Sequence, residues 1–161
     1  MEPNIGIIDK DRKGVGKVLM ALLADEYVLY TKMRNYQWSV AGRRFSNPHK
    51  FFESQYEEPD AIVDEVAERP RAVGAHAIGT LQEFTRHARV KEHPAHYRAS
   101  REMIVDLLGD HETIIRQLRE DVQVTAGKYH DMGTSDFLTG ILEQHEKMVW
   151  MLRANLDGQS T

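Results

Sequence analysis

Four side chains, His49, Glu53, Asp64 and Glu68, have the types and spacing of a metal-binding set. They form two pairs, each four residues apart. On a helix turning about 100° per residue they project at roughly 0°, 40°, 60° and 100°, along one stripe. At a rise of about 1.5 Å per residue, however, His49 and Asp64 stand roughly 22 Å apart, so one chain cannot bring both pairs to one ion. A two-fold axis can. In an antiparallel copy of the same helix, residues whose numbers add to a constant lie opposite each other. His49 with Glu68 and Glu53 with Asp64 share the same total. Two equivalent clusters would then form across an isologous interface centred between Glu58 and Pro59, each with one imidazole and three carboxylates. Such donors suit Fe(II), Mn(II) or Zn(II), with open positions for an oxidant. The same spacing also describes an ordinary solvated helix face, and the pattern alone leaves both readings open. A di-iron site inside one bundle normally uses Glu-x-x-His twice, and the chain contains none.

The elements that must carry these residues belong to a chain of 161 residues, 41% hydrophobic and 29% charged, which fits a single globular domain over residues 1–161. A short arm at 1–9 and a tail at 157–161 flank it. With no cysteine, disulfides, thiolate metal sites and thiol nucleophiles are excluded, so metal chemistry falls to His, Asp and Glu. A net charge of −4 gives no general attraction to nucleic acid. No stretch reads as a targeting peptide or membrane span, which predicts the cytosol.

Val15, Val18, Leu19, Leu22, Leu23, Tyr27, Tyr30 and Met33 recur at helical spacing and predict a first helix over about Asp9 to Tyr36. After a polar connection at Gly42, Asn47 and Pro48 read as an N-cap and a first helical residue, so a second helix starts at Pro48. Pro59 and Pro70 predict either one helix kinked near Gln55 or a fresh start at Glu58-Pro59-Asp60. A Thr80-x-x-Glu83 capping box opens a short helix through Phe84. Ser100 is the candidate cap of a long helix ending before Gly127. Thr134 is the candidate cap of a last helix reaching about Leu156, with Gly158 beyond. No segment alternates as a half-buried strand, so the fold class is all-α, a four-helix bundle with a short extra helix between the second and third long ones.

The run Tyr36-Gln37-Trp38-Ser39-Val40-x-Gly42-x-x-Phe45-x-x-x-His49-x-x-Phe52-Glu53-x-x-Tyr56, followed by Asp64-Glu65-x-Ala67-Glu68-Arg69, resembles the Dps family of mini-ferritins, DNA-binding proteins of starved cells. Supporting matches lie in Asp25 to Tyr30, Asp110-His111-Glu112 and Thr134-x-Asp136-Phe137-Leu138. The resemblance implies a dodecameric shell that oxidises Fe(II), preferring hydrogen peroxide, and stores the ferric product, with His49 and Glu53 from one subunit and Asp64 and Glu68 from its neighbour as ferroxidase ligands. The family's usual first ligand is a histidine just before the tryptophan; here it is Gln37, a neutral and weaker donor that predicts slower oxidation or altered metal preference. The alternative is a DNA-condensing or structural shell impaired by Gln37. By the same resemblance Trp38 adjoins the site and intercepts oxidising equivalents, although a core aromatic would read identically. Asp136 and Asp131 resemble acids of an iron-entry pore; acids in a first helical turn also complement the helix dipole.

Residues 1–13 balance Glu2, Asp9 and Asp11 against Lys10, Arg12 and Lys13, so a tail-driven DNA contact is disfavoured. His76, His87, His93 and His96, with Arg86, Arg89, Lys91 and Arg98, form either an anion or metal patch or a solvated loop. His111 and His145 lie among acids, which predicts surface positions. Gly14-Val15-Gly16-Lys17 lacks the first glycine and the Ser/Thr of a phosphate loop, and that reading fails.

Overall fold

The structure, a computed structural model, describes residues 3–39, 46–94 and 99–158, without the side chains of 46–58. Five helices follow in order: α1 (Asp9–Ser39), α2 (Ser46–Ala72), α3 (Leu81–His87), α4 (Ser100–Gly127) and α5 (Met132–Gly158). No strand occurs among the described residues. Of the sequence expectations, the Gly42 connection, His96, Arg98 and the tail from residue 159 fall outside this description.

Two hairpins, α1 with α2 and α4 with α5, make the bundle. Cross-links fix their directions. Asp25 is tied to Arg89, which reaches Gln117 and Asp121, while Lys32 meets Asp106 and Asp110, so α4 runs antiparallel to α1. Asp11 pairs with His130 and Glu26 with His145, so α5 runs parallel to α1. The core between them is the predicted stripe: Val15, Leu19, Leu22, Leu23 and Met33 of α1 meet Ile104, Leu107, Ile114 and Leu118 of α4 and Leu138, Ile141 and Leu152 of α5. Each such aliphatic side chain contributes roughly 1.5–3 kcal/mol of burial.

The short elements follow local chemistry. Thr80 and Glu83 form the predicted capping box, with Glu83 N donating to Thr80 Oγ1 at 3.3 Å and Thr80 N donating to Glu83 Oε2 at 3.0 Å. Phe84 then stacks on Tyr27 at 4.2 Å and seats α3 against α1. The two glycines of the rejected phosphate loop are packing positions inside α1. A Cβ on Gly14 would stand 2.2 Å from the Tyr129 ring, and one on Gly16 would stand 2.9 Å from Ala75.

Several helix ends differ from expectation. Helix α1 continues past Tyr36 to Ser39. Helix α2 begins at Ser46, which puts Pro48 in the first turn rather than at the first position; amides there have no intrahelical acceptor, so proline costs nothing. Ala99, not Ser100, caps α4, and its N–H donates to Glu102 Oε2 at 3.3 Å. Asp131, not Thr134, caps α5, because its carboxylate accepts from both Thr134 N (2.9 Å) and Thr134 Oγ1 (2.5 Å). Both last helices also include their terminal glycines, Gly127 and Gly158. Of the two readings of the prolines, the structure shows a single helix through Pro59 and Pro70, not a new start at Pro59.

Candidate functional site

Helix α2 carries the proposed ligands. Its buried described residues are Pro59, Ile62, Val66 and Pro70, which face the bundle. Asp64 and Glu68 stand two residues on from Ile62 and Val66, about 200° around the axis, and are exposed. The two carboxylates therefore sit one turn apart on the outward face. His49 and Glu53 lie on the same unbroken helix, with side chains outside the described set. Among the described residues, no three His, Asp or Glu side chains of one chain gather as a metal-binding group.

At the C-terminal end of α1, Gln37 is buried, while Trp38 is 70% exposed with the Arg34 guanidinium 5.3 Å from its ring. The core reading of Trp38 is thereby overturned within the subunit, since position 38 falls off the stripe that Leu29, Met33 and Tyr36 follow inward. Of the two candidate pore acids, Asp136 is exposed in the first turns of α5. Asp131 is buried as the α5 cap and pairs with Arg69 at 3.6 Å; Arg69 also donates to Thr134 Oγ1 at 3.0 Å.

Among the described residues, the histidines of the connection do not converge. His76 meets Arg71 (3.2 Å) and His93 meets Asp106 (3.4 Å). Arg89 is no solvated loop residue. Its backbone N–H donates to Asp25 Oδ1 at 2.5 Å and its Nε to Asp25 Oδ2 at 2.7 Å; Val90 N reaches Oδ1 at 3.1 Å. A fully buried carboxylate on α1 thus anchors the chain before α4.

The surface placement of His111 and His145 is overturned, because both are fully buried. Their Nδ1 atoms are 2.8 Å apart, and His145 Nε2 is 2.8 Å from Oε1 of Glu26, also fully buried. Burial pushes the His111 imidazole well below its ordinary range, and neighbouring His145 adds to the effect. The sequence held the signal. His111 lies on the stripe Ile104, Leu107, Ile114, Leu118, and His145 between Ile141, Leu142 and Met148, Val149. The adjacent acids Asp110 and Glu112, Glu143 and Glu146 point elsewhere: Asp110 to Lys32, Glu112 to Arg153 and Glu146 to Arg119.

The bundle, its short α3 and the outward carboxylate pair on α2 define a ferritin-like helical protein, and comparison with known proteins agrees. The ferritin-like domain family matches residues 16–159. The chain is 40% identical over 156 residues to an uncharacterized low temperature-induced protein of Nostoc sp., covering 97% of this chain and 87% of that one. It is 34% identical over 145 residues to DNA protection during starvation protein 2 of Bacillus anthracis, covering 90% and 98% respectively. The crystal structure of Dps from Vibrio cholerae O1, described as a member of a broad superfamily of ferritin-like diiron-carboxylate proteins, superposes with a TM-score of 0.88 at 29% identity, covering 96% of each chain. The chain belongs to the ferritin-like superfamily, in its Dps branch.

Proposed function

We propose that the protein is an iron-sequestering mini-ferritin, whose substrate Fe(II) is oxidised at sites shared between two subunits and stored as ferric mineral in a closed shell. The observation that carries the reading is the unbroken α2 with Asp64 and Glu68 displayed outward, away from the core. The register argument needs a continuous rod, and outward carboxylates need a second chain to complete a ligand set. His49 and Glu53 of one subunit, with Asp64 and Glu68 of its neighbour, bind the metal. The carboxylates hold the ion as its charge rises, and His49 supplies the nitrogen donor. Two Fe(II) each give up one electron, and hydrogen peroxide takes both with two protons to form two waters. Zn(II) or Mn(II) fits the same donors and would compete. Gln37 lies buried at the end of α1, where the Dps motif has a histidine, so oxidation is slowed rather than abolished. Asp136 stays open to solvent as an entry-pore acid; Asp131 serves the same approach only through its cap.

Protection of DNA follows from removing iron and peroxide, not from an arm. Pro3 lies against Gly74, just past the end of α2, where an added Cβ would come within 2.3 Å of its ring. A DNA-condensing or structural shell is the second reading, favoured only by Gln37. Anaerobic Fe(II) loading followed by peroxide separates the two. The ferroxidase reading expects ferric absorbance that Asp64→Asn with Glu68→Gln removes. Absorbance no higher than buffer, together with salt-dependent retardation of DNA, favours the shell reading.

A further inference from the structure

The bundle interior contains a titratable group that iron chemistry on α2 does not use. Glu26 of α1, His145 of α5 and His111 of α4 are each fully buried and form a line: carboxylate, imidazole, imidazole, with two contacts of 2.8 Å. Both ends are orphaned, because Glu26 Oε2 and His111 Nε2 are buried without a hydrogen-bond partner. The line is not a chelate. His145 spends one nitrogen on each neighbour, so Glu26 and His111 lie on opposite edges of its ring and cannot share an ion with it. Two nitrogens 2.8 Å apart are at hydrogen-bond distance, too close to flank a metal whose bonds are about 2.0–2.1 Å each in tetrahedral geometry.

Counting protons shows what the line can do. One proton must lie in each contact, and two protons leave the group with one negative charge. A third brings the net charge to zero, whichever tautomers share it. A fourth makes the group cationic. Among the described residues no outside charge is placed to compensate either excess. Asp110, next to His111, is turned to Lys32; Glu112 pairs with Arg153 and Glu146 with Arg119; and the buried described residues of α2 are all apolar. A net charge buried without a counter-ion is strongly disfavoured.

We propose that Glu26, His145 and His111 form a buried proton store, which holds three protons and no net charge while the bundle is folded and so sets the pH window in which the subunit is most stable. In the unfolded chain, with imidazoles near 6.5 and the carboxyl near 4.3, the same three groups together hold three protons only around pH 6.5. Above that pH the folded state holds more protons than the unfolded one, and raising the pH destabilises it. Below it the unfolded state holds more, and lowering the pH destabilises the fold.

Glu26→Gln tests this in the assembled protein. The amide can still donate to His145 Nε2, and the two imidazoles then need one proton each, so the variant's folded state holds one proton fewer than wild type. Denaturant unfolding of both proteins at equal concentration therefore has a defined outcome. The unfolding constant of wild type divided by that of the variant rises about tenfold per pH unit from pH 6 to 8, while contributions from all other groups cancel. A ratio that stays constant with pH overturns the proposal. Should Glu26→Gln fail to assemble, 15N spectra of histidine-labelled wild type decide the matter. Two of the eight histidines keep their signals unshifted from pH 6 to 8, and movement of all eight with a midpoint near 6.5 overturns it.

Discussion

Removing the Asp25 carboxylate should cost this subunit more than almost any other polar substitution. Asp25 is fully buried and accepts from Arg89 N, Arg89 Nε and Val90 N at 2.5, 2.7 and 3.1 Å. In Asp25→Ala the buried Val90 amide loses its acceptor, which costs about 1–3 kcal/mol. Arg89 loses the nearer of its two charged partners and keeps Asp121 at 3.4 Å; because that side chain is also 27% exposed, water recovers part of the loss, which places the total near the lower end of the roughly 3–5 kcal/mol for a broken buried pair. Asp25→Asn keeps a carbonyl oxygen where both backbone amides point, but its NH2 replaces the oxygen that accepts from Arg89 Nε, so it loses the charge and that bond, for about 2 kcal/mol. Urea unfolding at fixed protein concentration, with amide exchange at Val90 as a local probe, reads both variants. If Asp25→Ala costs under 1 kcal/mol, or if the asparagine variant loses as much as the alanine one, the anchor does not hold the connection as described.

Other substitutions test neighbouring links. Lys32→Met leaves Asp106 and Asp110, now 3.1 and 2.5 Å from the ammonium, without the lysine charge between them. Burial already raises the Asp110 carboxyl despite Lys32, and losing the lysine raises it further, so the folded variant binds protons more readily than its unfolded chain. The variant's deficit, about 3 kcal/mol or more at pH 8, should therefore shrink as pH falls toward 4, and a deficit independent of pH would contradict this. Gln37→His should speed peroxide-driven iron oxidation in stopped-flow absorbance, and an unchanged rate means the amide is not limiting. Thr80→Ala should cost about 1 kcal/mol through loss of the capping box, visible as faster amide exchange in α3.

Legibility in the sequence followed the range of the forces involved. Helix α3 was readable because Thr80 and Glu83 bond each other three residues apart, and α1 because its apolar stripe is continuous. The start of α5 misled because Thr134 is a plausible cap beside a better one, and only Arg69, arriving from α2, shows that Asp131 is held in place. The burial of His111 and His145 is masked in the sequence by flanking acids, which suggest a surface although both residues lie on apolar stripes. What buries them is their contact with each other and with Glu26, residues far apart in the chain. The candidate site was legible as a pattern on α2, whereas its completion depends on a second chain that periodicity can only imply.

That dependence gives the most direct measurement. One variant lacks the first half of the site (His49→Ala with Glu53→Ala) and a second lacks the other half (Asp64→Ala with Glu68→Ala); each alone should be inactive. Co-assembled at equal amounts, half of the two-fold pairs are mixed and each mixed pair rebuilds one of its two sites, so peroxide-driven iron oxidation should return to about one quarter of the wild-type rate. If each half-site served only its own chain, the mixture would stay as inactive as its components, and the account of a site shared across the two-fold axis would be wrong.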